Sequence, residues 1–312
     1  MGLLGILKFI MGCSGSTLLM PQGYNVKGGK VLYKPAFPNA TYEIENADVK
    51  SFKTIPNVGI YKESPPIYAV DKNQVFYRGY GRPGSHGPSF EHITDRFAKD
   101  KNLVYREGEV VEGADPDTFQ PKDDVFSVDK NHVFRYTYAI DNDASEFVKF
   151  NTYIVRTANV ISVYDKTIPI TKGVKVSYYN HSYFAIGDQV YFAEHPLEGA
   201  DAVSFECLRD WTGKSKEHVY YGEKIITGAD PATFALLDAP FAKDKNHVFF
   251  FERTIEGADP TTFEIVNVPF QCSRDKNAVY KEDRRIENFT AEDLVNKKHC
   301  NSCNEKQIYF QE

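Results

Sequence analysis

Among the 312 residues of this chain, the groups best placed to do chemistry are aspartates that precede turns. Asp-Lys-Asn recurs at Asp71, Asp100, Asp129, Asp244 and Asp275, and Gly-Ala-Asp-Pro recurs at Gly113, Gly228 and Gly257. Repeated acidic turns sometimes hold calcium. An aspartate before proline also caps a helical turn, with the proline at the first helical position. The cap needs no metal and explains the proline, so no metal ligand is expected. Gly79-Tyr80-Gly81-Arg82-Pro83-Gly84 spells G-x-G-x-x-G, but a dinucleotide loop must open a helix. Pro83 and Pro88 follow, so 78–87 reads as an inserted surface loop. His132, His218 and His247 share a slot with Gln74, Leu103 and Ala278, a permissive, half-exposed position rather than a catalytic one. Neither H-E-x-x-H nor G-x-S-x-G occurs, so no catalytic residue and no cofactor are expected.

His299-Cys300-Asn301-Ser302-Cys303 is half of a zinc site, and a structural site needs four ligands. The expectation is a Cys300–Cys303 disulfide in an oxidising compartment. Cys207 and Cys272 are expected to fill apolar slots, Cys207 at the position of Leu236 and Ile265. The first twelve residues are apolar apart from Lys8 and too short to span a bilayer. They end Ile10-Met11-Gly12-Cys13-Ser14-Gly15-Ser16, which resembles a bacterial lipobox with Cys13 as the lipidated residue. Lys8 inside the apolar run and Met11 are departures from that pattern.

These residues are positioned by a repeat. Val75, Val104, Val133, Val163, Val190, Val219, Val248 and Val279 follow one another in steps of 29, 29, 30, 27, 29, 29 and 31, each followed by Phe or Tyr. A second column keeps the same period: Phe90, Phe119, Phe147, Val176, Phe205, Phe234, Phe263 and Leu294. On a strand, the Val and its aromatic point to opposite faces, so both faces must be covered. Asp-Lys-Asn before the Val is a turn signal. An aliphatic residue then returns (Val111, Ile225, Ile255, Ile286), which reads as a hairpin. Each repeat therefore predicts two or three short strands and one helical turn. The fold class is all-β, a tandem of about 29-residue β-meander repeats in an open curved array, with a closed propeller-like ring as the alternative. The expected organisation is a signal and tether over 1–22, one repeat domain over 23–296 and a tail over 297–312.

The Asp-Lys-Asn-x-Val-Tyr/Phe and Gly-Ala-Asp-Pro-x-Thr-Phe strings resemble those of the DKNYY repeat family of bacterial envelope and secreted proteins. The opening run from Gly23 to Tyr33 is also similar. The resemblance spans about 23–296. It implies no catalytic residue, and the family's lipoprotein signals support Cys13. The copy over 135–186 keeps the spacing and loses both strings, and Ser215-Lys216-Glu217 replaces Asp-Lys-Asn.

Lys and Arg total 37 against 43 Asp and Glu, a net charge of −6 that disfavours a nucleic-acid partner. The apolar fraction of 42% is too high for disorder. The expectation is a non-catalytic protein-binding lipoprotein facing the periplasm, touching membrane only through its anchor. Its most concrete form is an immunity protein against a toxic effector such as a secreted phospholipase. A carbohydrate-binding module and an enzyme on a propeller-like scaffold are the alternatives. Partner contacts are expected where the pattern breaks, at Arg82, His86, Tyr178, Tyr179 and Trp211.

Overall fold

The computed structural model describes residues 22–36, 40–286, 300–303 and 308–310. The chain divides at Ala144/Ser145 into two compact units. The first holds a three-stranded sheet (Gly23–Lys27, Lys30–Lys34, Tyr42–Glu43) and four-stranded sheets over 53–82, 91–110 and 120–141. The second holds four-stranded sheets over 148–169, 176–201, 206–225, 235–254 and 264–285, then the strand pair Cys300–Cys303 and Ile308–Phe310. Every four-stranded sheet is an antiparallel meander in chain order, open at both edges.

Each repeat thus carries four strands, where two or three were expected. Four fit because nearly all have only two to four residues, His195–Asp201 being the exception. The third strand carries the anchor. Val75 and Phe76, Val104 and Tyr105, Val133 and Phe134, Val248 and Phe249 are at most 1% exposed, so both faces of that strand are covered. The expected helical turn is a single i→i+3 turn: the Thr118, Thr233 and Thr262 amides donate to the Asp115, Asp230 and Asp259 carbonyls. It takes 3₁₀ form at Gly87–Ser89.

Register corrects four details. In the 148–169 sheet, Arg156 pairs with Ile161 and Val155 with Ser162, so the buried anchor pair is Ile161–Ser162 and not Val163–Tyr164. The returning aliphatic of the 206–225 sheet is Ile226, whose amide bonds Val219, and not Ile225. Residues 78–87 are no insertion: they contain a two-residue turn and the fourth strand Tyr80–Arg82, paired to Val75–Tyr77. The extra length lies at 56–66, where Asn57 Nδ2 holds the carbonyls of Tyr61, Ser64 and Pro65 at 3.1–3.2 Å.

Candidate functional site

Every four-stranded sheet has two ends. At one end the second strand turns into the third, through Asp-Lys-Asn in five of the eight sheets. At the other the third strand turns into the fourth through two residues.

The Asp-Lys-Asn end is a closed polar knot. Asp244 Oδ1 accepts from the Asn246 and His247 amides at 2.7 and 2.6 Å, and its Oδ2 accepts from the Asp230 amide at 2.8 Å. Asp129 does the same with the amides of Asn131, His132 and Asp115, and Asp275 with those of Asn277, Ala278 and Asp259. Burial alone would raise the Asp129 and Asp244 carboxyls, but three amide donors together hold both below the ordinary range. In three copies the lysine of Asp-Lys-Asn reaches the aspartate of Gly-Ala-Asp-Pro, Lys130 with Asp115, Lys245 with Asp230 and Lys276 with Asp259, at 2.7–2.9 Å. The two recurring strings are therefore halves of one joint, with every oxygen engaged by amide, hydroxyl or ammonium. Among the described residues no group of His, Cys, Asp and Glu is arranged to hold a metal ion.

The other end forms a rim. Register leaves two residues in each turn, as where Tyr77 pairs with Tyr80 and Phe250 with Arg253. The first has a positive φ in all eight sheets: Arg78, Glu107, Tyr136, Tyr164, Ala193, Gly222, Phe251 and Glu282. Such turns normally select Gly, Asn or Asp there. Each of these amides donates to the carbonyl of the residue just before the second strand: Ile67, Arg96, Val125, Tyr153, Ser182, Trp211, Pro240 and Gln271. The same bond thus recurs eight times between residues of unrelated type.

The rims of the two units differ in charge. In the first unit, Arg78 lies over the Tyr77 ring at 5.2 Å and Arg106 over Tyr136 at 4.7 Å. Arg96 and Arg106 also engage Glu107. In the second unit the second turn residue is acidic in every sheet: Asp165, Glu194, Glu223, Glu252 and Asp283.

The second unit's rim opens into a cleft of about 210 Å³ between the 206–225 and 235–254 sheets. Trp211 and Tyr221 form one wall, Pro240, Phe241 and Phe251 the other, and Arg209 and Asp210 stand at the mouth. Ring centroids run Phe192–Trp211 at 5.1 Å, Trp211–Tyr221 at 6.3 Å and Tyr221–Phe251 at 5.3 Å. Burial, and then the Glu252 carboxylate, pushes the Tyr221 hydroxyl up. Arg209 Nη2 is committed to the Leu237 carbonyl at 2.9 Å.

The five residues expected to meet a partner are divided between the two units, two in the first and three in the second. Trp211, 52% exposed, aligns with Arg96 and Pro240, one residue before the buried Phe97 and Phe241, so it stands on the rim and not in the core. Tyr178 is on the first strand of the 176–201 sheet, stacked on Phe150 at 5.1 Å and 8°. Tyr179 is structural: its hydroxyl donates to the Ala202 carbonyl at 3.0 Å and its ring packs on Phe205. In the first unit, Arg82 lies at the Asp-Lys-Asn end of its strand, opposite Val75. His86 is part of the knot, its amide bonding Asp100 at 2.8 Å. Tyr221, Pro240 and Phe251 were missed; the signal available was the change of residue type, copy by copy, at the turn after the anchor.

Cys13 lies outside the described residues. Cys207 is a free thiol, half-buried and accepting from Asn180 Nδ2 at 2.9 Å. Cys272 is buried as expected of an apolar slot, but it is also disulfide-bonded, which the sequence reading did not foresee. Cys300 and Cys303 lie at the two ends of one strand, and their side chains are outside what the structure describes.

A family model, the DKNYY family, matches residues 10–108, 84–138, 183–239 and 241–311. No curated protein and no solved structure matches the chain. The stretch 139–182, outside these matches, still forms the 148–169 sheet and begins the next. There Thr157 Oγ1 accepts the Val160 amide at 3.1 Å in the slot of the lost string, and Asn151 and Asn180 each hold two amides at 2.6–2.9 Å in the turn before the second strand, as Asp123 does in the 120–141 sheet. The architecture therefore runs unbroken through the copies that have lost the strings. With matches over well more than half its length, and with the knot that explains both recurring strings, this chain belongs to the DKNYY family.

Proposed function

We propose that this chain is a non-catalytic binding protein whose rim meets a protein partner. The observation that carries this reading is the contrast within each repeat. In five of the eight copies the knot keeps its Asp-Lys-Asn, while the rim changes its residues at the same backbone positions. The rim's residues include Trp, Tyr and Arg, the types that most often dominate binding energy. In its most concrete form the protein is a bacterial envelope lipoprotein, anchored through Cys13 and facing the periplasm. There it acts as an immunity protein that blocks a toxic effector such as a secreted phospholipase.

A second reading, carbohydrate binding, draws on the half-exposed indole of Trp211 and the parallel Phe150–Tyr178 stack, since flat aromatic faces also suit sugar rings. A photo-crosslinking residue at Tyr80, Tyr164 or Trp211, irradiated in cells of the source organism, separates the two. One protein recovered from rim positions, and not from control positions at Lys130 or Lys245, is the expected result. Recovery of glycan, or equal recovery from knot and rim, overturns the reading. Labelled palmitate incorporation that is lost in Cys13→Ala tests the anchor.

A further inference from the structure

The cleft at Trp211 has two properties that together specify an occupant. It is too small for an ordinary small-molecule site: about 210 Å³, against roughly 300–1,000 Å³ for such pockets. Its walls are aromatic and aliphatic, so it accepts one large apolar group. Its surroundings are acidic. Asp210 stands at the mouth, Glu223 follows Gly222 beside Tyr221, and Glu252 follows Phe251. Among the described residues none of these three carboxylates has a cation at ion-pair distance. Arg253 is neutralised by Asp283 at 3.0 Å, whereas Arg209, held in place by the neutral Leu237 carbonyl, keeps its charge. Lys224, opposite Tyr221 in register, is the remaining cation of that turn. Three carboxylates against the charges of Arg209 and Lys224 leave the mouth negative by one.

We infer that this cleft receives a single leucine-like or aromatic side chain from a segment of a partner protein, with lysine or arginine beside it facing Asp210, Glu223 and Glu252. The inference rests on the protein-binding reading above and names the chemistry of the contact. An apolar side chain supplies affinity by leaving water, and the flanking cation supplies orientation and salt-dependent attraction. A neutral sugar could donate hydroxyls to these carboxylates but would bind with little salt dependence, whereas a cation's attraction falls as salt is added.

The chain carries its own reporter. Trp211 is its one tryptophan beside 20 tyrosines, so emission excited at the red edge, where tyrosine does not absorb, reads this wall. The probe is the blocked peptide Gly-Lys-Leu-Arg-Gly, titrated into the full chain. Expected is a saturable shift of Trp211 emission that weakens as salt is added. The same peptide with glutamates in place of its basic residues, and one with glycine in place of leucine, should each bind at least about tenfold more weakly. Asp210→Asn with Glu252→Gln, both at surface positions, should weaken the first peptide severalfold, flatten its salt dependence and leave the circular dichroism unchanged.

Equal binding of all three peptides, no response to the basic one, or a shift produced by cellobiose instead overturns the inference. Failure here together with protein capture at Tyr80 or Tyr164 removes this contact and leaves the protein-binding reading standing. Failure of capture at every rim position removes that reading itself.

Discussion

At one end of the 235–254 sheet, Asp244 holds three amides and is 4% exposed. At the other, Phe251 occupies a left-handed backbone at φ 54°, where glycine would sit without cost. The knot spends its side chains on the backbone. The rim accepts unfavourable backbone in order to display side chains. Positive φ at seven non-glycine residues on one column is backbone strain of about 1–3 kcal/mol each, kept where the surroundings over-determine it. The lesson is that fold and display are segregated within every repeat. The two can therefore be broken separately.

The largest effect should come from the knot. Asp244→Ala deprives three part-buried amides of their acceptor and should cost about 3 kcal/mol of unfolding free energy in urea melts. Next is Val248→Ala, which empties a fully buried anchor position and should cost about 2 kcal/mol. Acid comes third. The Asp129 and Asp244 carboxyls are held low by amide donors, and Asp48 is held at about 2 by Lys72 and then Ser51. A carboxyl lowered in the folded state stabilises above its unfolded value and loses that contribution as pH falls through the folded one. Stability should thus be flat above about pH 5 and decline below about pH 4. An Asp129→Asn/Asp244→Asn variant should show a shallower decline; an equal slope would mean the knot is not the acid-sensitive element.

The rim should behave oppositely. Glu282→Gly, at φ 57°, should stabilise by up to about 1 kcal/mol, and a loss of that size would refute strain on this column. The smallest expected change is for exposed Arg78→Ala, within about 0.5 kcal/mol by thermal melt. If Arg78→Ala destabilises as much as Asp244→Ala, the division between knot and rim fails.

The segregation also explains what the sequence made legible. Val75, Phe76 and their counterparts obey packing rules that demand particular residue types, so the period, the all-β class and the anchor columns can be read directly. The rim obeys only a backbone rule, satisfied alike by Arg78, Tyr164 and Gly222 through the same amide-to-carbonyl bond, and so has no residue signature. Where a copy replaces its anchor aromatic by Ser162, Val163 and Tyr164 two residues later mimic the pattern and mislead. Trp211 shows how fine the margin is. One position separates it from Thr212, the counterpart of the buried Phe97, and one position on a strand exchanges its faces.

The reach of the knot has a consequence for heredity. Lys243 Nζ bonds the Pro260 carbonyl and Lys99 Nζ that of Pro116, each only 17 residues on, and Asp244 reaches back 14 residues to Asp230. Every joint closes within its own copy or the linker beside it. Unequal crossing-over that removes or adds one stretch of about 29 codons in phase therefore leaves no amide without its carboxylate and no lysine without its acceptor. A gene of this construction can lengthen or shorten by whole copies while each copy's rim drifts on its own.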